Sequence, residues 1–254
     1  MVRGVDPTEL YRSSHVRVCE RLSALSPARL AATVPATPLW TAADLVAHVT
    51  GVASDAALGR LDREGVGSPE WTAEQIAKRA GRSMAEVVEE WRECVAKLDP
   101  PFDERIVRDL LTHEADLSGA VGKDDTPPPE AVSWMLDFAL SDLTRRIDEA
   151  GLAGLVISTD GSGDRRVGSS ATAGALSTTS WELFRSLAGR RSATQVRRYS
   201  WQGDPEPYLA VWNRYGALPA DDVVEGPAPG LSAGRSARPG ADGRSAEVAE
   251  VVSD

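Results

Sequence analysis

The sequence is short of histidine, cysteine and lysine. It has three histidines, two cysteines and, among 28 basic residues, three lysines (Lys78, Lys97 and Lys123). No long basic run occurs and the formal net charge is −10, which argues against a nucleic-acid or anionic-membrane partner. No apolar stretch reaches membrane-spanning length, and none opens the chain as a signal peptide would. Cys19 and Cys94 lie far apart in helical patterns, so a disulfide framework is not expected. Both read as small core residues, since no cationic neighbour is evident to lower a thiol pKa. These absences predict a cytoplasmic protein.

What is present is mostly helical grammar. Tyr11, His15, Val18, Leu22 and Leu25 recur at spacings of three and four, predicting a helix over 7–25. Thr41 followed by Asp44 predicts a capping box opening a helix from 42 to about 62, with Trp40 and Leu45 as a hydrophobic staple. Trp71-Thr72-Ala73-Glu74-Gln75-Ile76 repeats box and staple, and Ser83 with Glu86 opens another helix closed by Asp99-Pro100-Pro101. Helices over 103–118 and 129–149 follow, separated by the turn GKDDTPPP.

The pattern changes at Gly151. LAGLVIST and RRVGSSAT read as strands around the turn TDGSGD. Two further boxes, Thr179 to Glu182 and Ser192 to Gln195, flank Gly189 as a helix C-cap. The reading is a helical domain over residues 1–150 and a small α/β domain over 151–216. Residues 217–254 contain no aromatic residue and are rich in Gly, Pro, Ser and Ala, which predicts a disordered tail.

Two of the three histidines sit in the same pentad, DLVAH at 44–48 and DLLTH at 109–113. Asp and His four residues apart share one helix face, which suits metal ligation and equally suits a plain polar contact. Capping separates the copies. Asp44 has a local role at the third helical position, where it can accept from the N-cap backbone. Asp109 lies more than a turn inside its helix, where Asp is a poor helix former, so it needs a partner: solvent, Arg105 or a metal. His48, Asp109 and His113 thus form a candidate metal site on facing helices. Three protein ligands leave one position free, the catalytic rather than the structural zinc pattern. His15 reads as a core-edge histidine; Glu114 and Asp116 are expected to face away from His113, with Glu114 solvated.

The segments LWTAADLVAHVTG, DLLTHEADLSGAVG and SWELFRSLAGRRSATQVRRYSWQGDPEPYL resemble, in order, the mycothiol-dependent maleylpyruvate isomerase family of the DinB-like superfamily. The resemblance spans most of residues 8–216. It implies an α+β architecture: a DinB-like four-helix bundle followed by a small α/β domain. It also implies a divalent metal, usually zinc, on residues matching His48, Asp109 and His113, with mycothiol as thiol cosubstrate. The family pattern has Glu where this chain has Asp109. The family further implies a catalytic arginine in the second domain, for which Arg190 and Arg191 are the matches; a solvated basic pair is the alternative. The implied chemistry is thiol addition to an activated double bond and cis–trans isomerisation of a small carboxylate or other electrophile. Alternatives are a mycothiol S-transferase, or a non-catalytic bundle binding a metal or small ligand, which a fourth protein ligand such as His15 would favour.

Overall fold

A computed structural model of the chain describes residues 4–121, 127–161 and 163–226. The elements run, in chain order, α1 (Pro7–Ser23), α2 (Pro27–Leu30), β1 (Thr33–Val34), β2 (Thr37–Thr41), α3 (Ala42–Ala57), α4 (Pro69–Ala77), α5 (Met84–Val95), α6 (Glu104–Val121) and α7 (Pro129–Glu149). Then come β3 (Gly154–Thr159), β4 (Gly163–Val167), β5 (Thr172–Ser177), α8 (Ser180–Leu187), α9 (Ala193–Arg197), β6 (Ser200–Gln202) and α10 (Glu206–Leu209). This is a helical bundle followed by a small α/β unit.

Local signals place the helix starts. Thr41 and Asp44 satisfy each other's backbone N–H groups at α3, and Ser83 with Glu86 does the same at α5. At α4 the expectation is corrected. The cap is Ser68 with Pro69 in the first turn, so Thr72 lies inside the helix. Proline fits that position because its missing N–H would be an orphan anyway. Gln75, expected to close a box, instead donates to the buried carboxylate of Asp55 at 2.9 Å. At α8, Thr179 caps the backbone of Glu182, but the Glu182 side chain pairs with Arg191 rather than returning to the cap.

α3 packs on α4, α5 and α6, while α1 packs on α6. Tyr11 of α1 accepts a 3.0 Å hydrogen bond from the indole of the fully buried Trp91 of α5, closing the fourth side of the bundle. α7 packs on α8 and β4 of the second unit, and its Phe138 meets Arg108 of α6. The sheet there has the order β4-β3-β5-β6. β3 pairs antiparallel with β4, as the two strand patterns and their turn predict, and parallel with β5. Gly189 follows α8 at φ +76°, a left-handed position where a side chain would also meet Asn213.

Composition puts the start of the tail at residue 217, but residues 217–226 are described and pack back on the protein. Asp222 accepts from Ser192, and Glu225 pairs with Arg185 and Arg191. Gly119 of α6 permits this approach: a Cβ there would lie 3.1 Å from the Glu225 side chain. Residues 227–254 lie outside the described residues, as do 122–126 of the turn before α7. Residues 227–254 lack aromatic residues and are rich in Gly, Pro, Ser and Ala, so on composition a chain ending at Gly226 is expected to melt like the full chain. One ending at Gly216 should lose roughly 1.5–3 kcal/mol, the scale of a hydrogen bond to a charged group, measurable by urea denaturation. Equal stability of the two truncations would show that Glu225 contributes nothing.

Candidate metal centre

α3 and α6 lie side by side and bring the two pentads together. His48 Nε2 lies 3.4 Å and His113 Nε2 3.6 Å from Asp109 Oδ1. One ligand atom from each of the three residues falls within 4.8 Å of the others. Both imidazoles are buried, and Asp109 is half-buried. Tetrahedral zinc with bonds of about 2.0–2.1 Å needs ligand atoms roughly 3.3 Å apart, so the two contacts to Asp109 are near the required spacing. Two imidazole nitrogens and one carboxylate oxygen are a donor set that zinc accepts.

His15 does not join them. Its ring packs edge-on against Trp91 at 4.6 Å, and among the described residues its buried Nε2 has no hydrogen-bond partner. Burial first, and then the charge of Arg92, lowers its pKa to about 4, so it is a neutral core histidine. Asp44 stays in its capping box, with Oδ2 accepting from the Thr41 N–H at 2.9 Å. Asp44→Asn should cost about 1 kcal/mol or less and leave metal content unchanged, checked by urea denaturation and metal analysis. Loss of metal at unchanged stability would make Asp44, not Asp109, the ligand.

The expectations for Glu114 and Asp116 are corrected. Glu114 is 1% exposed and is held by Ser14 at 2.7 Å and by both Nε and Nη2 of Arg17. It turns toward α1 and is not solvated. Asp116 is fully buried and does face His113, because residues three apart share a helix face just as residues four apart do. Its Oδ2 lies 3.0 Å from His113 Nδ1. Burial opposes ionisation of Asp116, but the guanidiniums of Arg190 and Arg185 outweigh it and hold the carboxyl well below its usual range. The ionised carboxylate can only accept, so His113 Nδ1–H donates to it, which leaves Nε2 facing Asp109. A histidine oriented by a carboxylate behind it is the arrangement that metal-ligating histidines use.

The two arginines part company. Neither is a solvated pair. Arg190 reaches Asp116 through Nη2 at 2.8 Å and Nε at 3.2 Å, and it lines the cavity that holds His48, Asp109 and His113. Arg191 points elsewhere, making a two-pronged 2.7 Å contact with Glu182 and a 2.9 Å contact with Glu225. Arg185, which sequence reasoning missed, is fully buried between Asp116 and Glu225. Trp40, expected as a staple, lies 5.0 Å from the His48 ring and 5.6 Å from the His113 ring, and Trp71 lies 6.0 Å from His48. The cavity has a volume of about 890 Å³, sufficient for a small-molecule ligand.

The comparisons with known proteins bear on this geometry. Residues 11–105 match the family model described as the mycothiol maleylpyruvate isomerase N-terminal domain. Over those residues the chain is similar to that domain. The family resemblance drawn from the motifs is thus borne out over residues 11–105. The match includes His48 and ends just before Asp109 and His113. Two solved structures share the fold: a mycothiol-dependent maleylpyruvate isomerase, at TM-score 0.52 and 19% identity, and a histidine-to-alanine mutant of a mycothiol-dependent maleylpyruvate isomerase, at 0.53 and 20%. Each alignment covers 74% of this chain and 92% of the other. At that identity the likeness shows the fold. No curated protein matches the sequence. Among the described residues, no helix is long and apolar enough to cross a membrane.

Proposed function

We propose that this chain is a divalent-metal-dependent, mycothiol-dependent enzyme of the maleylpyruvate isomerase type, with zinc as the metal. His48, Asp109 and His113 would hold the ion. Residues 1–150 would form the metal-binding domain and residues 151–216 the small α/β domain that supplies Arg190. The observation that carries this reading is the cluster of three donors beside a cavity, with His113 already oriented by Asp116 and no fourth ligand among the described residues. A structural site would be closed by a fourth ligand; this one leaves a position for a small molecule.

A divalent ion held there supplies a Lewis acid that keeps a thiol in its nucleophilic, deprotonated form. The chain's own residues do the rest. Asp116 fixes the tautomer of His113. Trp40 and Trp71 wall the two histidines with apolar surface, which limits water at the reacting groups. Arg190 is held by Asp116 and by the carbonyl of Ala188, so it acts by positioning that carboxylate rather than by moving. The reaction assigned is addition of the thiol sulfur and its proton across an activated double bond, rotation about the new single bond, and elimination. Elimination returns the thiol, so no oxidant or reductant is consumed. Stopping before elimination would give the S-transferase outcome on the same site.

The test is cobalt substitution. Mycothiol should add a sulfur-to-cobalt charge-transfer band, persisting at pH values below the free-thiol pKa of roughly 8.5. A panel of cis-enoic acids and electrophiles should show turnover that needs both metal and thiol. Neither band nor metal-dependent turnover would leave a non-catalytic binding bundle as the reading.

A further inference from the structure

A second cavity, of about 570 Å³, adjoins the metal centre. Gly67, Asp109, Thr112 and Tyr215 line both cavities, so Asp109 stands at their junction. In a chain of net charge −10, five guanidiniums face three carboxylates across this second space. Two of the five have their own acids: Arg63 lies 3.6 Å from Asp55, and Arg105 is held by Asp62 and Asp103.

The remaining three are Arg108, Arg146 and Arg214, and their compensation is thin. Asp142 is shared by Arg145 at 2.9 Å, Arg146 at 3.2 Å and Arg214 at 4.0 Å. Arg145 also pairs with Glu149 at 2.6 Å, so at the cavity Asp142 is left between the two guanidiniums of Arg146 and Arg214, and one carboxylate cannot neutralise both. Burial, together with repulsion from Arg214 and Arg145, pulls the Arg146 pKa down in spite of Asp142. Among the described residues Arg108 makes its ion pair with Glu104, one turn away and about half exposed, a type of pair that contributes little. Arg108 and Arg214 both rest on the ring of Phe138, with guanidinium carbons 3.9 and 4.8 Å from its centroid. That contact holds each planar fork without consuming its charge. The cavity wall beside them is apolar, with Met135 and Phe138 among its residues.

Arg190 and Arg191, which the family resemblance points to, are already saturated by Asp116, Glu182 and Glu225. We propose that the second cavity is a carboxylate subsite, in which Arg108 and Arg214 hold the acid group of a small organic acid whose apolar body lies on Met135 and Phe138. Its use as a substrate subsite rests on the function proposed above. The binding of the acid itself requires no metal.

The experiment titrates the full chain, metal-stripped and zinc-loaded, with cinnamate, its neutral amide and inorganic phosphate, using calorimetry. Cinnamate should bind in both states, and the amide at least about tenfold more weakly, since a two-pronged charge-assisted contact is lost. R108Q and R214Q should each weaken cinnamate by about tenfold or more, whereas R197Q, at an exposed pair with Glu206, should not. If R108Q fails to fold, R214Q carries the test, because that side chain is 38% exposed. Equal affinity for acid and amide, or cinnamate binding unchanged in R214Q, overturns the subsite. Phosphate binding as tight as cinnamate overturns the organic-acid assignment. The two proposals fail separately. A missing cobalt–thiol band with intact cinnamate binding removes the thiol mechanism and leaves the subsite; the converse removes the subsite alone.

Discussion

Asp116→Asn is expected to cost about 3–5 kcal/mol of stability at neutral pH, the range for removing one partner from a buried charge cluster. The substitution keeps the shape and removes the charge. Arg190 then loses the carboxylate it grips with two nitrogens, and the fully buried Arg185 keeps only Glu225. The asparagine amide also turns a donor toward groups that can only donate. Metal affinity should fall by roughly 10–100-fold as well, because His113 Nδ1–H loses the acceptor that fixes its tautomer. Urea denaturation of metal-free protein and chelator competition measure the two effects independently. As a control, Glu104→Gln breaks an exposed one-turn pair and should cost well under about 1 kcal/mol. A loss below about 1 kcal/mol in Asp116→Asn, with unchanged metal affinity, would mean that the cluster neither stabilises the fold nor supports His113.

The stability that Asp116 contributes should also vanish in acid. Its folded carboxyl titrates well below the ordinary value of 3.8, so the unfolded chain takes up the proton first. Stability from this group is present above the unfolded pKa and is lost as pH falls toward the folded one.

What was legible in the sequence was local. Thr41 with Asp44, Ser83 with Glu86, and Ser192 with Gln195 each close a ring within four residues, so spacing alone announces them. The pairing of His48 with Asp109 and His113 was also within reach, because an interior Asp without a cap to serve asks for a partner. The charge network behind it was not. Asp116 meets Arg185 and Arg190 across 69 and 74 residues, and Arg185 meets Glu225 across 40. No periodicity encodes such contacts. The one readable clue was the three-residue spacing from His113 to Asp116, which shares a face by the same helical geometry that relates Asp109 to His113. β5 escaped for another reason: TAGALS offers one apolar side chain larger than alanine, so its strand state is set by pairing with β3 and β6.

His48→Ala and His113→Ala are each expected to abolish stoichiometric metal binding. Removing one of three ligands should weaken affinity by more than the roughly 100-fold that outer partners such as Asp116 command. The two variants should differ in the metal-free state. His48 Nδ1 is buried without a partner among the described residues, so trimming this ring removes an unsatisfied polar atom along with its packing against Trp40. His113→Ala instead leaves Asp116 with its two arginines and one acceptor unused. The decisive measurement is therefore not stability alone but the rise in Tm on adding zinc. A ligand that binds only the folded state stabilises it by an amount that grows with concentration over Kd. Wild-type protein should show that rise; both alanine variants and Asp109→Asn should lose it while still unfolding cooperatively. Cooperative unfolding excludes a collapsed fold as the cause of metal loss. Full metal retention in both histidine variants would be incompatible with this centre, since no other group of His, Cys, Asp and Glu among the described residues is arranged to hold an ion.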